Sequence, residues 1–554
     1  MRTTSTVSRY LLQRLNELGL QHTFGVPGDY VLDFMDRIVE SPIELIGTCN
    51  ELNAGYAADA YARLNGIGAA VVTYGVGAFS ILNAVAGAYA EQVPLVLISG
   101  APKSDQRKGR VRMHHLTSDY QLQLDIFERV TVGSALLSSA ETAPRMIDRL
   151  LSQCITQKRP VYFEIPVDGV DSPCEAPEPI EFFQQPQSDP MSLEDSVEEA
   201  ARMLNEAAKP IVLAGVELQR YGLIDAFQRF VEKTNIPFAT SLDGKSLLSE
   251  DHPLFAGVYI GALSSEKIRD QLEECDCLLS LGVYLNDIST GGFTAHLPEH
   301  EAISAHGSQV QIASHFYRNV WLGDFLEKLA EKVKRHDYTR DRYPSSYEID
   351  QPFEPQAETA LTPSRFYDAI SRQLDDQSIL VADAGDSVFA AAEFPIHRPD
   401  EFVAQSYYFS IGYSLPATMG VAFARPERRV WLLIGDGAFQ MTAQEISTMI
   451  RNRLNPVLIV VNNDGYLVER TIHDGPYNDI QQWHYEKLPH AFGDGALTFK
   501  VKTEEELMDA LAQAKKATDQ LVLINTCLPN DKGCEALSRL GKELRAIQTK
   551  RTEG

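Results

Sequence analysis

Gly435-Asp436-Gly437 and Asn462-Asn463-Asp464-Gly465-Tyr466 combine hard oxygen donors with flexible glycines. Asp436 and Asn463 offer a carboxylate and an amide oxygen, ligands that suit Mg²⁺ bridging a protein to a diphosphate. Val430-Trp-Leu-Leu-Ile434 leads into the first motif and Asn455-Pro-Val-Leu-Ile-Val-Val461 into the second. Both runs read as buried strands, with a helical pattern between them. Thr442-Ala-Gln-Glu445 predicts a capping box for that helix, with Ile446 and Ile450 following on one face. A βαβ unit with a short crossover is parallel and right-handed. The two motifs therefore lie side by side at the carboxyl ends of neighbouring strands, where open α/β sheets bind ligands. The helix N-terminus adds N–H groups suited to phosphate. The stretch predicts a metal-diphosphate site.

Other residues could move protons. Glu51 follows Asn50 at a predicted helix start, where a carboxylate also suits the helix dipole. Asp29, after Pro27-Gly28, equally has the character of a turn residue. His114-His115 stands in a polar stretch, 108–119. Adjacent imidazoles do not readily chelate one metal, and no cysteine or further histidine stands nearby, so zinc is not expected. The pair reads either as solvent-facing loop side chains or as groups for proton transfer near neutral pH. Glu469 lies just past the metal loop and is open to three readings: a third metal ligand, a surface charge paired with Arg470, or a catalytic acid.

At 554 residues the chain is too long for one core and predicts about three domains of the usual ~150 residues. Its composition, 44% apolar and 23% charged, is that of a soluble globular protein. A net charge of -26 argues against nucleic acid or an anionic membrane as partner. The long uncharged tract from Leu64 to Ala90 is broken by Asn65, Thr73, Ser80, Asn83 and several glycines, which predicts strand, glycine loop and helix rather than a membrane span. No signal-peptide core precedes the first amphipathic helix. Seven scattered cysteines show no paired metal-ligand spacing, and reduced cytoplasm is expected.

Helix and strand alternate from the start: helix over 6–18, strands near 23–25, 43–46, 69–73 and 95–99, and helices over 50–63 and 79–90. The 50–63 helix carries Ala54, Ala57 and Ala58, small residues that suit close packing against a partner. Pro-rich hydrophilic stretches at 171–190 and 336–361 read as linkers. The middle segment opens on Lys209-Pro-Ile-Val-Leu-Ala-Gly215 but lacks a full G-x-G-x-x-G pattern, so a dinucleotide or flavin role there is poorly supported. The expected fold class is α/β, three consecutive doubly wound domains with mainly parallel sheets, over 1–180, 190–340 and 357–554.

In this order the pieces resemble the thiamine diphosphate-dependent 2-keto acid decarboxylases: pyruvate, indolepyruvate or phenylpyruvate, and branched-chain keto acid decarboxylases. The resemblance spans essentially the whole chain. It runs through Phe24-Gly-Val-Pro-Gly-Asp29, Asn50-Glu51-Leu-Asn53, Gly75-Val-Gly77, Ala90-Glu91-Gln-Val-Pro94, His114-His115, Gly385-Asp-Ser387, Ile411-Gly412, Gly435-Asp-Gly437, Asn462-Asn-Asp-Gly-Tyr466 and Glu469. The paired histidines with Asp29 and Glu469 set this branch apart from synthases and oxidases of the same fold. The resemblance implies decarboxylation of a 2-keto acid to an aldehyde and CO₂ through an enamine on thiamine diphosphate. It implies Mg²⁺ held by Asp436, Asn463 and the Gly465 carbonyl, with a first domain binding the pyrimidine and the third binding the diphosphate. Gly385, Asp386, Ser387, Phe409, Gly435, Gly437, Ala438 and Tyr466 belong to the implied cofactor site. Glu51, from the neighbouring subunit of a homodimer or homotetramer, is implied to bond the aminopyrimidine, and Ile411 to hold the cofactor bent. Asp29, His114, His115 and Glu469 are implied proton carriers.

The chain departs from the family at Ala384, where pyruvate decarboxylases have threonine, and at Leu467. It also has Tyr408-Phe409-Ser410 in place of Trp-Gly-Ser. Val468 and Val388, smaller than the Ile and Trp of some relatives, enlarge the expected substrate pocket, to which Leu540 and Leu544 add adaptable side chains. A branched or aromatic 2-keto acid is therefore expected over pyruvate, a discrimination worth ~1–3 kcal/mol. A carboligase using the same enamine and a non-catalytic cofactor-binding protein are the alternatives; the complete proton-carrying set argues against the second.

Overall fold

The computed structural model describes residues 4–182, 186–298, 300, 302–337 and 352–553, apart from the side chains of 544 and 546–553. Three sheets follow one another along the chain, each flanked by helices. The first has strands in the order Glu44–Gly47, His22–Gly25, Gly68–Val72, Leu95–Ala101, Val161–Pro166, Gly133–Leu136, all parallel. The third repeats that pattern with Phe402–Val403, Ser378–Ala382, Arg429–Gly435, Val457–Asn462, Leu521–Cys527 and Ala496–Val501. Near-continuous apolar runs such as Val457-Leu-Ile-Val-Val461 are buried throughout, as strands covered on both faces require.

The middle sheet is mixed. Its strands from Phe255–Tyr259 to Ala302–His306 run parallel, but Gln309–Ile312 and His315–Arg318 add an antiparallel edge. The stretch 171–190 is not wholly a linker either: Pro173–Glu175 pairs antiparallel with Thr4–Thr6 and ties the chain's beginning to the end of the first segment. Much of 336–361, including Pro344, lies outside the described residues. The helix expected over 79–90 is two, Val76–Ser80 and Leu82–Ala90.

The small-residue helix Glu51–Asn65 is capped by Asn50, whose side chain accepts from Asn53 N at 2.8 Å. Its close-packing partner is the helix Ser414–Ala424 of the third segment, and one hydrophobic core runs through both. A Cβ at Gly420 would lie 2.0 Å from the Ala57 carbonyl oxygen, so the two backbones approach within a distance only glycine permits. This contact locks the first and third segments together and aims their strand ends. Among the described residues, no helix is long and apolar enough to cross a membrane.

Candidate active site

Gly435 and Val461 are register partners on parallel strands, which sets Asp436 beside the loop that follows Asn462. The helix after the first strand starts at once: Gly435 is its N-cap and Asp436 its first residue, and it runs to Thr442. The capping box expected at Thr442 and Glu445 does not form. The Thr442 hydroxyl donates to the Gly412 carbonyl at 2.8 Å, and buried Glu445 accepts from Asn53 Nδ2 at 2.7 Å and from Cys49 N. Bonds to other segments outcompete the local cap, and they bring the Asn50–Asn53 turn against the third segment.

Asp436 is fully buried. Its Oδ1 accepts from Gly437 N at 2.9 Å, and Oδ2 from Gly465 N at 3.1 Å and Gln482 Nε2 at 3.3 Å. Burial outweighs these bonds and pushes its carboxyl up to about 6. A buried carboxylate bonded to the loop that carries the Asn463 amide offers oxygen donors of the kind a hard divalent cation takes. Two glycines are obligatory here. A Cβ on Gly437 would lie 2.5 Å from the Tyr466 ring, and Gly465, at φ +132°, has the Asn478 carbonyl 2.2 Å from any added Cβ. Gly435 instead faces open space.

That space is a cavity of about 170 Å³. Gly385, Asp386, Ser387, Phe409, Ile411, Gly435, Gly437, Ala438, Asn463, Gly465, Tyr466, Val468 and Glu469 line it, together with Ala384, Val461 and Leu467. Asp436 itself is buried behind the lining, between Gly435 and Gly437. Gly385, at φ +107°, turns the chain into the helix Asp386–Ala391, whose first residues face the cavity. Asp386 is held from behind by Tyr367 OH at 2.7 Å and Cys534 N at 2.8 Å. Val388, expected in the substrate pocket, is fully buried and outside the lining, because it lies on the side of that helix turned to the core. Leu540 packs against the same core and is also outside the lining. The side chain of Leu544 lies outside the described residues.

Opposite, buried Asp383 accepts from Gly412 N (3.1 Å), Ser414 N (3.0 Å) and Ser414 Oγ (2.6 Å), and so fixes the turn that presents Ile411. Ile411 stands 38% exposed at the cavity. Phe409 has φ +58°, a left-handed conformation costly for a bulky side chain, and its ring centroid lies 5.8 Å from that of Phe389. The surrounding loop is held from the first segment. Glu91 Oε1 accepts from Tyr407 N and Tyr408 N, both at 2.8 Å, and Tyr56 OH lies 2.7 Å from Ser410 Oγ.

Asp29, His114 and His115 form a second cluster, with one polar atom of each within 4.8 Å of the others. His114 Nε2 lies 2.7 Å from Asp29 Oδ2, and its Nδ1 3.3 Å from Tyr30 OH. Tyr30 stacks on the His114 ring at 4.8 Å. A carboxylate facing one imidazole nitrogen and a phenol facing the other orient the ring for proton transfer. Glu51 sits on the neighbouring helix start, its Oε1 3.3 Å from where a Gly77 Cβ would be. Thr73 was invisible in the sequence. Its Oγ1 is buried without a partner, and the side chain lies against Gly28 on one side and Gly77 on the other.

The chain does not bring its two sets together. Among the described residues none before Ala384 lines the cavity, so Glu51, Asp29, His114 and His115 stand outside the space that Asn463 and Glu469 face. Val76, Tyr407, Ile411 and Met441 leave large apolar side chains exposed around these two halves.

The chain matches the family model "Thiamine pyrophosphate enzyme, N-terminal TPP binding domain" over residues 5–126, the central domain over 197–325 and the C-terminal TPP binding domain over 383–526. It is 39% identical to an "Alpha-keto-acid decarboxylase" of Mycolicibacterium paratuberculosis over 95% of this chain and 94% of that one. It is 37% identical to the "Probable pyruvate decarboxylase Pdc101" of Schizosaccharomyces pombe (97% and 96% covered) and 36% identical to "Pyruvate decarboxylase 4" of Arabidopsis thaliana (98% and 92%).

Proposed function

Because the chain belongs to the thiamine diphosphate-dependent 2-keto acid decarboxylases, we propose that it converts a branched-chain or aromatic 2-keto acid to an aldehyde and CO₂ in a site shared by two copies of itself. The observation that carries this reading is the split arrangement: a cavity with a buried carboxylate and an open glycine on one segment, and a proton-carrying cluster outside that cavity on another. Exposed apolar residues beside both halves fit a second copy closing one onto the other.

Asp436, Asn463 and the Gly465 carbonyl would hold Mg²⁺, and with it the diphosphate of the cofactor. Glu51 from the other copy would bond its aminopyrimidine, and Ile411 would prop its bend. Bound thiamine diphosphate supplies the electron sink that lets a 2-keto acid lose CO₂. The protein's own contributions are orientation, water exclusion and protons. Phe409, Ile411, Leu467 and Val468 give the cavity apolar walls, in which a substrate carboxylate is poorly solvated and its departure favoured. Glu469 faces this space, and the Asp29–His114 pair with His115 would deliver and remove protons at the reacting carbon and its oxygen. The preference for larger substrates rests on Val468 in the lining, where a shorter side chain leaves room. No cysteine among the described residues forms a disulfide, which fits a reducing cytoplasm.

Turnover with thiamine diphosphate and Mg²⁺ on pyruvate, 3-methyl-2-oxobutanoate, phenylpyruvate and indolepyruvate tests the reading. CO₂ and aldehyde are expected in equal amounts, with higher kcat/KM for the larger acids. Pyruvate as the best substrate overturns the preference; no turnover on any of the four overturns the function.

A further inference from the structure

We propose that Glu164 and Arg107 are positioning residues that hold both ends of the His114-His115 segment against the sheet; the inference rests on the proton-handling reading of those histidines. Glu164 sits on the strand Val161–Pro166 with no exposed side-chain surface, and Arg107 on the helix Ser104–Lys108 is 9% exposed. The Arg107 guanidinium pairs with Glu164 through Nη1 and donates from Nη2 to the Tyr120 carbonyl at 3.0 Å, with the Tyr120 ring 5.3 Å away. Tyr120 OH in turn donates to the Val111 carbonyl at 2.5 Å. The entry and exit of the histidine segment are thus cross-tied through one guanidinium.

Gln123 secures the far end to the same carboxylate. Its Nε2 lies 3.3 Å from Glu164 Oε2 and 2.5 Å from Tyr162 OH, which itself donates to Glu164 Oε2 at 3.0 Å. Its Oε1 accepts from Gly75 N at 2.8 Å. Gly75 is the surface on which His115 rests: at φ +66°, a Cβ there would lie 2.3 Å from the His115 carbonyl oxygen. His115 itself has φ +66°, so its backbone is held in an uncommon conformation. Next to Gly75, Tyr74 contacts Tyr30, the residue stacked on His114.

A buried ion pair adds little net stability compared with apolar side chains of similar volume, whereas its directional bonds fix one arrangement. Here those bonds converge from residues on both sides of the histidines. Misplacing catalytic groups by about 1 Å costs on the order of a hundredfold in rate.

The test compares Arg107→Met, Arg107→Lys and Glu164→Gln holoenzymes for kcat across pH, thiamine diphosphate affinity and thermal midpoint. Arg107→Met is expected to lose about tenfold to a hundredfold in kcat and to displace a limb of the kcat–pH profile, with cofactor affinity near wild type. Arg107→Lys, which keeps a charge facing Glu164, should recover part of the loss. If Glu164→Gln does not fold, the Arg107 pair decides. A wild-type kcat and pH profile in Arg107→Met overturns the proposal, as does a kcat loss that only follows lost folded protein or lost cofactor. His114→Gln and His115→Gln separate the two readings. If both keep wild-type kcat, the proton-handling reading fails; if they lose it and Arg107→Met does not, only the positioning role fails.

Discussion

Asp29 Oδ2 lies 2.7 Å from His114 Nε2, while the opposite ring nitrogen faces Tyr30 OH at 3.3 Å. The imidazole is therefore held at both nitrogens, and of these two partners only Asp29 carries a charge. Replacing that carboxylate by an amide keeps the shape and removes the charge. Asp29→Asn is expected to lower kcat by about 10²-fold or more. Thiamine diphosphate affinity should stay near wild type, as measured by titrating the apoprotein.

Asp436 is the proposed metal ligand of the other half of the site. Ligand at a hundredfold excess over its Kd stabilises a protein by about 2.7 kcal/mol. Wild-type protein should gain this on addition of Mg²⁺ and thiamine diphosphate together, and lose it to EDTA. Asp436→Ala should show no such gain in thermal unfolding.

Phe409 combines a left-handed backbone with a ring that walls the cavity. Glycine there would relieve strain of ~1–2 kcal/mol and forfeit an aromatic contact with Phe389 worth ~0.5–1.5 kcal/mol. The ring also packs partly buried against the core, so its lost burial outweighs the relieved strain and Phe409→Gly should lower stability by about 1–2 kcal/mol. Its catalytic effect falls on selectivity: kcat/KM for indolepyruvate relative to pyruvate should rise about tenfold as the wall recedes. Steady-state kinetics on the two acids reads this directly.

Asp383 carries a pH dependence. Burial raises its carboxyl to about 6, above the 3.8 of an unfolded aspartate, so the folded protein binds the proton more tightly. The resulting stability is present below about pH 4 and lost as pH rises through about 6, a difference of about 3 kcal/mol. Asp383→Asn should flatten that part of the profile, measured as urea midpoints of the apoprotein between pH 4 and 7.

Legibility in the sequence followed the range of the interactions. The strands stand out as runs such as Val430–Ile434 because both faces are buried, and Asn50 marks its helix because capping is local. Asp436 and Asn463 could be paired from sequence because a short βαβ unit makes distant positions neighbours. The capping box at Thr442 misled because its side chains found stronger partners, Gly412, Asn53 and Cys49, in segments far along the chain. Val388 was expected in the pocket because some relatives carry Trp at that position, but helical rotation turns it into the core. Thr73, Arg107 and Glu164 carried no local signal, since each acquires its environment only when separate strands and loops meet.

Subunit complementation tests the shared site most directly. Glu51→Gln and Glu469→Gln proteins, each inactive alone, are mixed under conditions that exchange subunits, and CO₂ release from the preferred 2-keto acid is followed. If Glu51 and Glu469 act in one site from different copies, each mixed dimer contains one site with both wild-type residues, and activity returns. Exchanged subunits that remain inactive would place both residues in a single chain's site and contradict the shared arrangement.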